Sequence, residues 1–125
     1  MRNLAIAYGN NRQAKTWVNK TIKFDDLKER LKVTIRTTES AEEYAKMSKA
    51  QRDAAKDHGG FVAGVLKGGR RKIDTVDIRS MLALDGDRIN VEFLDTYETI
   101  CPYTSVLYTT HSSTAENPRV RLVFP

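Results

Sequence analysis

The sequence predicts a single α+β domain in which an antiparallel or mixed sheet packs against helices. Helical spacings and capping signals crowd the stretch before Asp57, and β-branched runs punctuated by Gly and Pro dominate after Gly60. The length of 125 residues, with 40% apolar and 30% charged side chains, suits one globular core. The chain has no internal repeat, low-complexity linker or heptad pattern.

The elements follow in order. Leu4-Ala-Ile-Ala7 is a short apolar run closed by Gly9-Asn10-Asn11, a first strand and its turn. Phe24, Leu27 and Leu31 recur at helical spacing, with Asp25, Asp26 and Glu29 early and Arg30 and Lys32 late, the charge order a helix dipole favours. Ser40-x-x-Glu43 and Ser48-x-x-Gln51 have the capping-box form and open two further helical pieces, the second running to about Lys56 and ended by Gly59-Gly60. Phe61–Leu66 reads as one strand, Lys67–Lys72 as a basic glycine turn, and 73–84 as one or two strands. Asn90 is placed to cap a helix through about Ile100, with Val91, Leu94 and Tyr97 on one stripe. Ser105–Thr110 is a β-branched and aromatic strand, 111–118 a polar loop, and Arg119 to Phe124 a last strand.

A formal net charge of +5 favours polyanionic partners without requiring one. The lone cysteine, Cys101, has no disulfide partner within the chain and reads as a buried thiol in a reducing compartment. The N-terminal apolar patch is too short for a signal peptide or a membrane span, so the expected location is the cytoplasm. An end on a strand without a polar tail suggests a piece of a longer domain, with a final strand lacking a partner that a second copy would cover.

The stretch Met81-Leu-Ala-Leu-Asp-Gly-Asp87 has two readings. Asp85-Gly86 between apolar runs is a hairpin-turn signal. Asp85 and Asp87 at the end of an extended strand instead share one face about 7 Å apart, at ~3.3 Å per residue, as oxygen ligands for a hard divalent cation. An EF-hand is excluded, because Ile89 stands where an oxygen ligand is required. Thr109-Thr110-His111 closes another strand, so an imidazole and a carboxylate pair converge if the two strands lie together. His58 reads as a residue at a helix C-terminus. Lys67, Arg70, Arg71 and Lys72 surround Gly68-Gly69, either a solvated hairpin tip or a phosphate-binding loop, and no Walker A pattern is present. Arg119 and Arg121 share one face of the last strand and can also reach a phosphate. Cys101 lacks a basic partner and is a weak nucleophile candidate.

The ordered set GGFVAGVLKGGRRK (59–72), LALDGD (82–87) and LYTTHSSTAENPRVRLVFP (107–125) resembles the N-terminal primase-polymerase domain of phage and plasmid replication proteins associated with virulence-associated protein E helicases. These domains look like members of the archaeo-eukaryotic primase superfamily. The similarity extends upstream through Lys15–Lys20 and Tyr44–Ser48. The resemblance implies part of a primase catalytic fold and metal-dependent nucleotidyl transfer in DNA replication. It implies Asp85 and Asp87 as ligands for Mg²⁺ or Mn²⁺ and His111 as a ligand of the incoming nucleotide's phosphates. The basic loop Lys67/Arg70/Arg71/Lys72, with Arg119 and Arg121, would meet nucleotide or template phosphate. The implied partners are single-stranded DNA, nucleoside triphosphates and a fused or separate helicase. Two departures stand out. The family's third acidic motif has no counterpart, so the segment is expected to be inactive alone, and Gly86 stands where the family carries a larger residue. The alternative is a nucleic-acid or nucleotide binding module without catalysis.

Overall fold

A computed structural model describes residues 2–125. Strand β1 (Asn3–Gly9) is central in the first sheet, between β2 (Val18–Lys23) and β3 (Gly60–Val62), and both pairings are antiparallel. Helix α1 (Phe24–Lys32) follows β2 directly and buries Phe24 and Leu27, as the helical spacing predicts. Helices α2 (Ala41–Lys46) and α3 (Lys49–Ala55) begin where the capping boxes place them. Ser40 Oγ accepts the Glu43 N–H at 3.1 Å and Ser48 Oγ the Gln51 N–H at 3.2 Å, and each acidic or amide side chain reaches back to its cap's own N–H at 2.9 Å.

Phe61–Leu66 forms two strands rather than one. Beyond Val62 the chain leaves the first sheet, and β4 (Gly64–Leu66) pairs instead with β5 (Val76–Arg79). Gly64 permits this crossing, since a Cβ there would overlap the Ile78 carbonyl oxygen. The Asn19 side chain on β2 ties the two sheets together: its amide donates to the Leu66 carbonyl at 2.8 Å and its oxygen accepts the Leu66 N–H at 2.9 Å. The stretch 73–84 supplies both β5 and β6 (Leu82–Gly86), separated by Ser80 and the buried Met81.

The third sheet has the order β6–β8–β7, where β7 is Val106–Thr109 and β8 is Val120–Phe124. Three expectations change here. The last strand is not an open edge, because β8 is hydrogen-bonded on both sides. Asp85-Gly86 is not a hairpin turn, because these residues lie in β6 opposite Arg121 and Val120, and Gly86 is not among the positive-φ glycines. Helix α4 (Glu92–Ile100) starts just after Asn90, whose Oδ1 accepts the Phe93 N–H at 2.9 Å, but Cys101 at its end is half-buried rather than buried.

One core cluster joins Leu4 and Ile6 of β1, Phe24 and Leu27 of α1, Met81, and Val123 of β8. A smaller one gathers Ala7, Trp17 and Leu66. Burial of these large side chains, at about 1.5–3 kcal/mol each, fixes the third sheet against β1 and α1. No helix among the described residues is long and apolar enough to cross a membrane.

Candidate functional site

Because β6 and β7 both run antiparallel to β8, they run parallel to each other and end at the same edge of the sheet. Asp85, Arg121 and Tyr108 stand in one cross-strand row, and Gly86, Val120 and Thr109 in the next. The Thr110 N–H donates to the Arg119 carbonyl at 3.0 Å and carries the pairing one residue further. The carboxylate-bearing end of β6 and the histidine-bearing end of β7 therefore flank the arginine-bearing start of β8, two inter-strand steps of about 4.8 Å apart.

Arg121 Nε donates to Asp85 Oδ1 at 2.6 Å. Burial opposes the charge on Arg121, but the bonds to Asp85 and Tyr108 outweigh it and hold the guanidinium above its ordinary range. Asp87 lies just past the end of β6 and is exposed. Gly86 between them has a packing reason, since a Cβ would sit 3.1 Å from both Ile89 Cγ2 and Val120 Cγ2. Among the described residues no three His, Cys, Asp or Glu side chains converge as a metal-binding group.

His111 is enclosed by the α1–α2 segment. Its Nε2 lies 3.0 Å from Thr37 Oγ1 and 3.6 Å from Glu39 Oε1, and its ring centroid is 4.8 Å from that of Tyr44. The Tyr44 hydroxyl shares a 2.9 Å hydrogen bond with Ser112 Oγ. Glu39 is held below the usual carboxylate range, first by the Thr37 hydroxyl and its own backbone N–H, then by His111 and His58.

Asp87, His111 and the residues around His111 line one open cleft of about 1730 Å³, and Asp85 is not among its lining residues. Asp87, His111, Arg119 and Arg121 face it from the sheet, and Arg12, Arg52, Lys56 and His58 from the opposite side. Of the four cations in the basic turn, Arg71 alone reaches this cleft. Arg71 lies over the Trp17 ring at 5.3 Å, and Lys67 is turned to Asp77 at 3.5 Å. Arg70 and Lys72 are exposed, and Lys72 and Arg71 border a second cavity of about 570 Å³. Gly68 and Gly69 both take positive φ, and the Gly69 carbonyl accepts the Trp17 N–H at 2.6 Å, so the turn is anchored rather than loose.

The family model of the VapE N-terminal domain matches residues 1–125. The chain belongs to that family. Membership associates it with the replication-type proteins of phages and plasmids. Searches among curated proteins and among solved structures found no match.

In this VapE N-terminal domain Asp87, His111, Arg119 and Arg121 border one cleft and Asp85 does not, and the basic turn contributes one side chain of its four. Sequence reasoning missed Arg12, Arg52 and Lys56, which have no motif and are gathered only by the fold. It also missed Thr37, Glu39 and Tyr44 around His111. The one available signal for them was the Ser40 capping box, which fixes the backbone immediately after Glu39.

Proposed function

We propose that this VapE N-terminal domain carries the metal- and triphosphate-binding half of a primase-polymerase centre in phage or plasmid DNA replication. The observation that supports this best is that the Asp85/Asp87 end of β6 and the His111 end of β7 lie at one edge of one sheet, where Asp87 and His111 border a cation-lined cleft. Two carboxylates at a strand end fit Mg²⁺ or Mn²⁺, which commonly take one or two carboxylates and complete their shell with water and substrate phosphates. When bound, such cations activate a 3′-hydroxyl and stabilise the leaving pyrophosphate. Asp85 and Asp87 hold the cations, and His111 orients the triphosphate. Arg121, already paired to Asp85, lies between the two groups and balances negative charge as phosphate enters. Arg71, Arg119 and the exposed Arg70 and Lys72 meet the phosphates of nucleotide or single-stranded template without reading bases. The only acid in residues 112–125, Glu116, lies in a loop rather than on a strand.

The test is dNTP binding with and without Mn²⁺, and primer synthesis on single-stranded DNA by the full-length gene product. The expected result is Mn²⁺-dependent binding that Asp85→Asn or Asp87→Asn abolishes, and primer synthesis lost in the same variants. A second reading, a binding module without catalysis, is favoured by the 2.6 Å Asp85–Arg121 pair, which already satisfies one carboxylate. Metal-independent nucleotide binding, with no product from the full-length protein, would establish that reading instead.

A further inference from the structure

We infer that Thr37 and Glu39 are positioning residues that engage Nε2–H of His111 and orient the ring, so that it meets phosphate through Nδ1. The inference rests on the reading of His111 as a phosphate ligand. Thr37 has a single hydroxyl proton, and it is donated to Glu39 Oε1 at 2.5 Å. Its oxygen can then only accept from His111 Nε2, 3.0 Å away. Nε2 must therefore carry the ring's proton, and Nδ1 is left as the free nitrogen.

The arrangement is held from several sides. The side chains of His111 and Glu39 are 22% and 12% exposed. The Tyr44 ring lies against the imidazole at a tilt of 53°, and its hydroxyl holds Ser112, the next residue in the loop. Glu39 directly precedes Ser40, whose capping box locks the local backbone.

With Nε2–H engaged, Nδ1 is an acceptor in the neutral ring and repels phosphate oxygen. It becomes a donor only in the imidazolium, whose charge the Glu39 carboxylate offsets. The titratable groups facing His111 are Glu39 from the α1–α2 segment and Tyr44 from α2. His58, beyond α3, lies within electrostatic reach of Glu39, and Arg119 of the sheet borders the same cleft.

The experiment combines imidazole ¹⁵N NMR with dATP binding in the presence of Mn²⁺, using wild type, Glu39→Gln, Thr37→Val and His111→Gln. The neutral wild-type ring is expected as the Nε2–H tautomer, and Glu39→Gln and Thr37→Val as mixtures of both tautomers. Glu39→Gln should bind at least about threefold more weakly than the wild type. His111→Gln should bind weakly, and adding Glu39→Gln to it should cost nothing further. A wild-type proton on Nδ1, or an unchanged tautomer in both Glu39→Gln and Thr37→Val, overturns the inference while His111 remains a phosphate ligand. A His111→Gln variant that binds dATP like the wild type overturns the phosphate-ligand reading itself, and the functional half of the inference with it.

Discussion

Asp53 is the one buried charged side chain among the described residues, 7% exposed, and it is met by Lys49 at 2.8 Å, Lys56 at 3.1 Å and Arg12 at 3.3 Å. Bonds from Lys49 and Lys56 outweigh the cost of burial and hold its carboxyl well below the usual range. A depressed folded value means stability that is present above the ordinary carboxylate value of about 3.9 and lost as pH falls toward the folded one. Asp53→Asn should lower the melting temperature at neutral pH by several degrees, and the deficit should persist to about pH 3, where ordinary carboxylates are largely protonated. Thermal melts at both pH values check this. At Gly64 the constraint is steric, and Gly64→Ala should cost ~1–3 kcal/mol by forcing β4 away from the Ile78 carbonyl, as read from urea unfolding. Gly69→Ala should also destabilise, since φ is +64° and a Cβ would lie 2.7 Å from the Trp17 carbonyl oxygen.

Helices α2 and α3, with 6 and 7 residues, are too short to be stable alone, and α2 buries no residue. Their caps therefore matter more than in a long helix. Ser40→Ala or Ser48→Ala should each cost about 1 kcal/mol and raise amide exchange across the affected helix before the β-sheets open. These helices were legible in the sequence because capping is local chemistry: an S-x-x-E or S-x-x-Q pattern satisfies free N–H groups wherever it occurs. Helix α1 was legible for a related reason, as Phe24 and Leu27 mark its buried face. Strand β2 was not, because Val18–Lys23 is almost wholly exposed and its order comes from pairing with β1. The break after Val62 was equally hidden, since an apolar run does not say which sheet its halves join. In the site, the aspartates and His111 could be named from sequence, but their placement on either side of β8 depends on pairings between distant segments. The enclosure of His111 by Thr37 and Glu39 spans 74 positions in the first case and has no local signature.

At the scale of the molecule, the cleft collects cations from the β1–β2 connection, α3, the basic turn and the third sheet. Under the proposed function, binding of a single strand should therefore be a counterion-release property. Binding of oligo(dT) should weaken linearly in log[salt], and Arg71→Ala or Arg119→Ala should each reduce the slope by about 0.7 without altering base preference. A salt titration by fluorescence anisotropy reads both quantities. The position of β8 bears on how such a protein is made. Neither β6 nor β7 has another partner within its sheet, and the strand that joins them is the last of the described strands to be synthesised. Asp85, Asp87 and His111 therefore leave the ribosome before the scaffold that brings them together. Until Val120–Phe124 emerges, β6 and β7 expose unpaired edges that nascent-chain chaperones can occupy, and the two halves of the site remain separate pieces of unfolded chain.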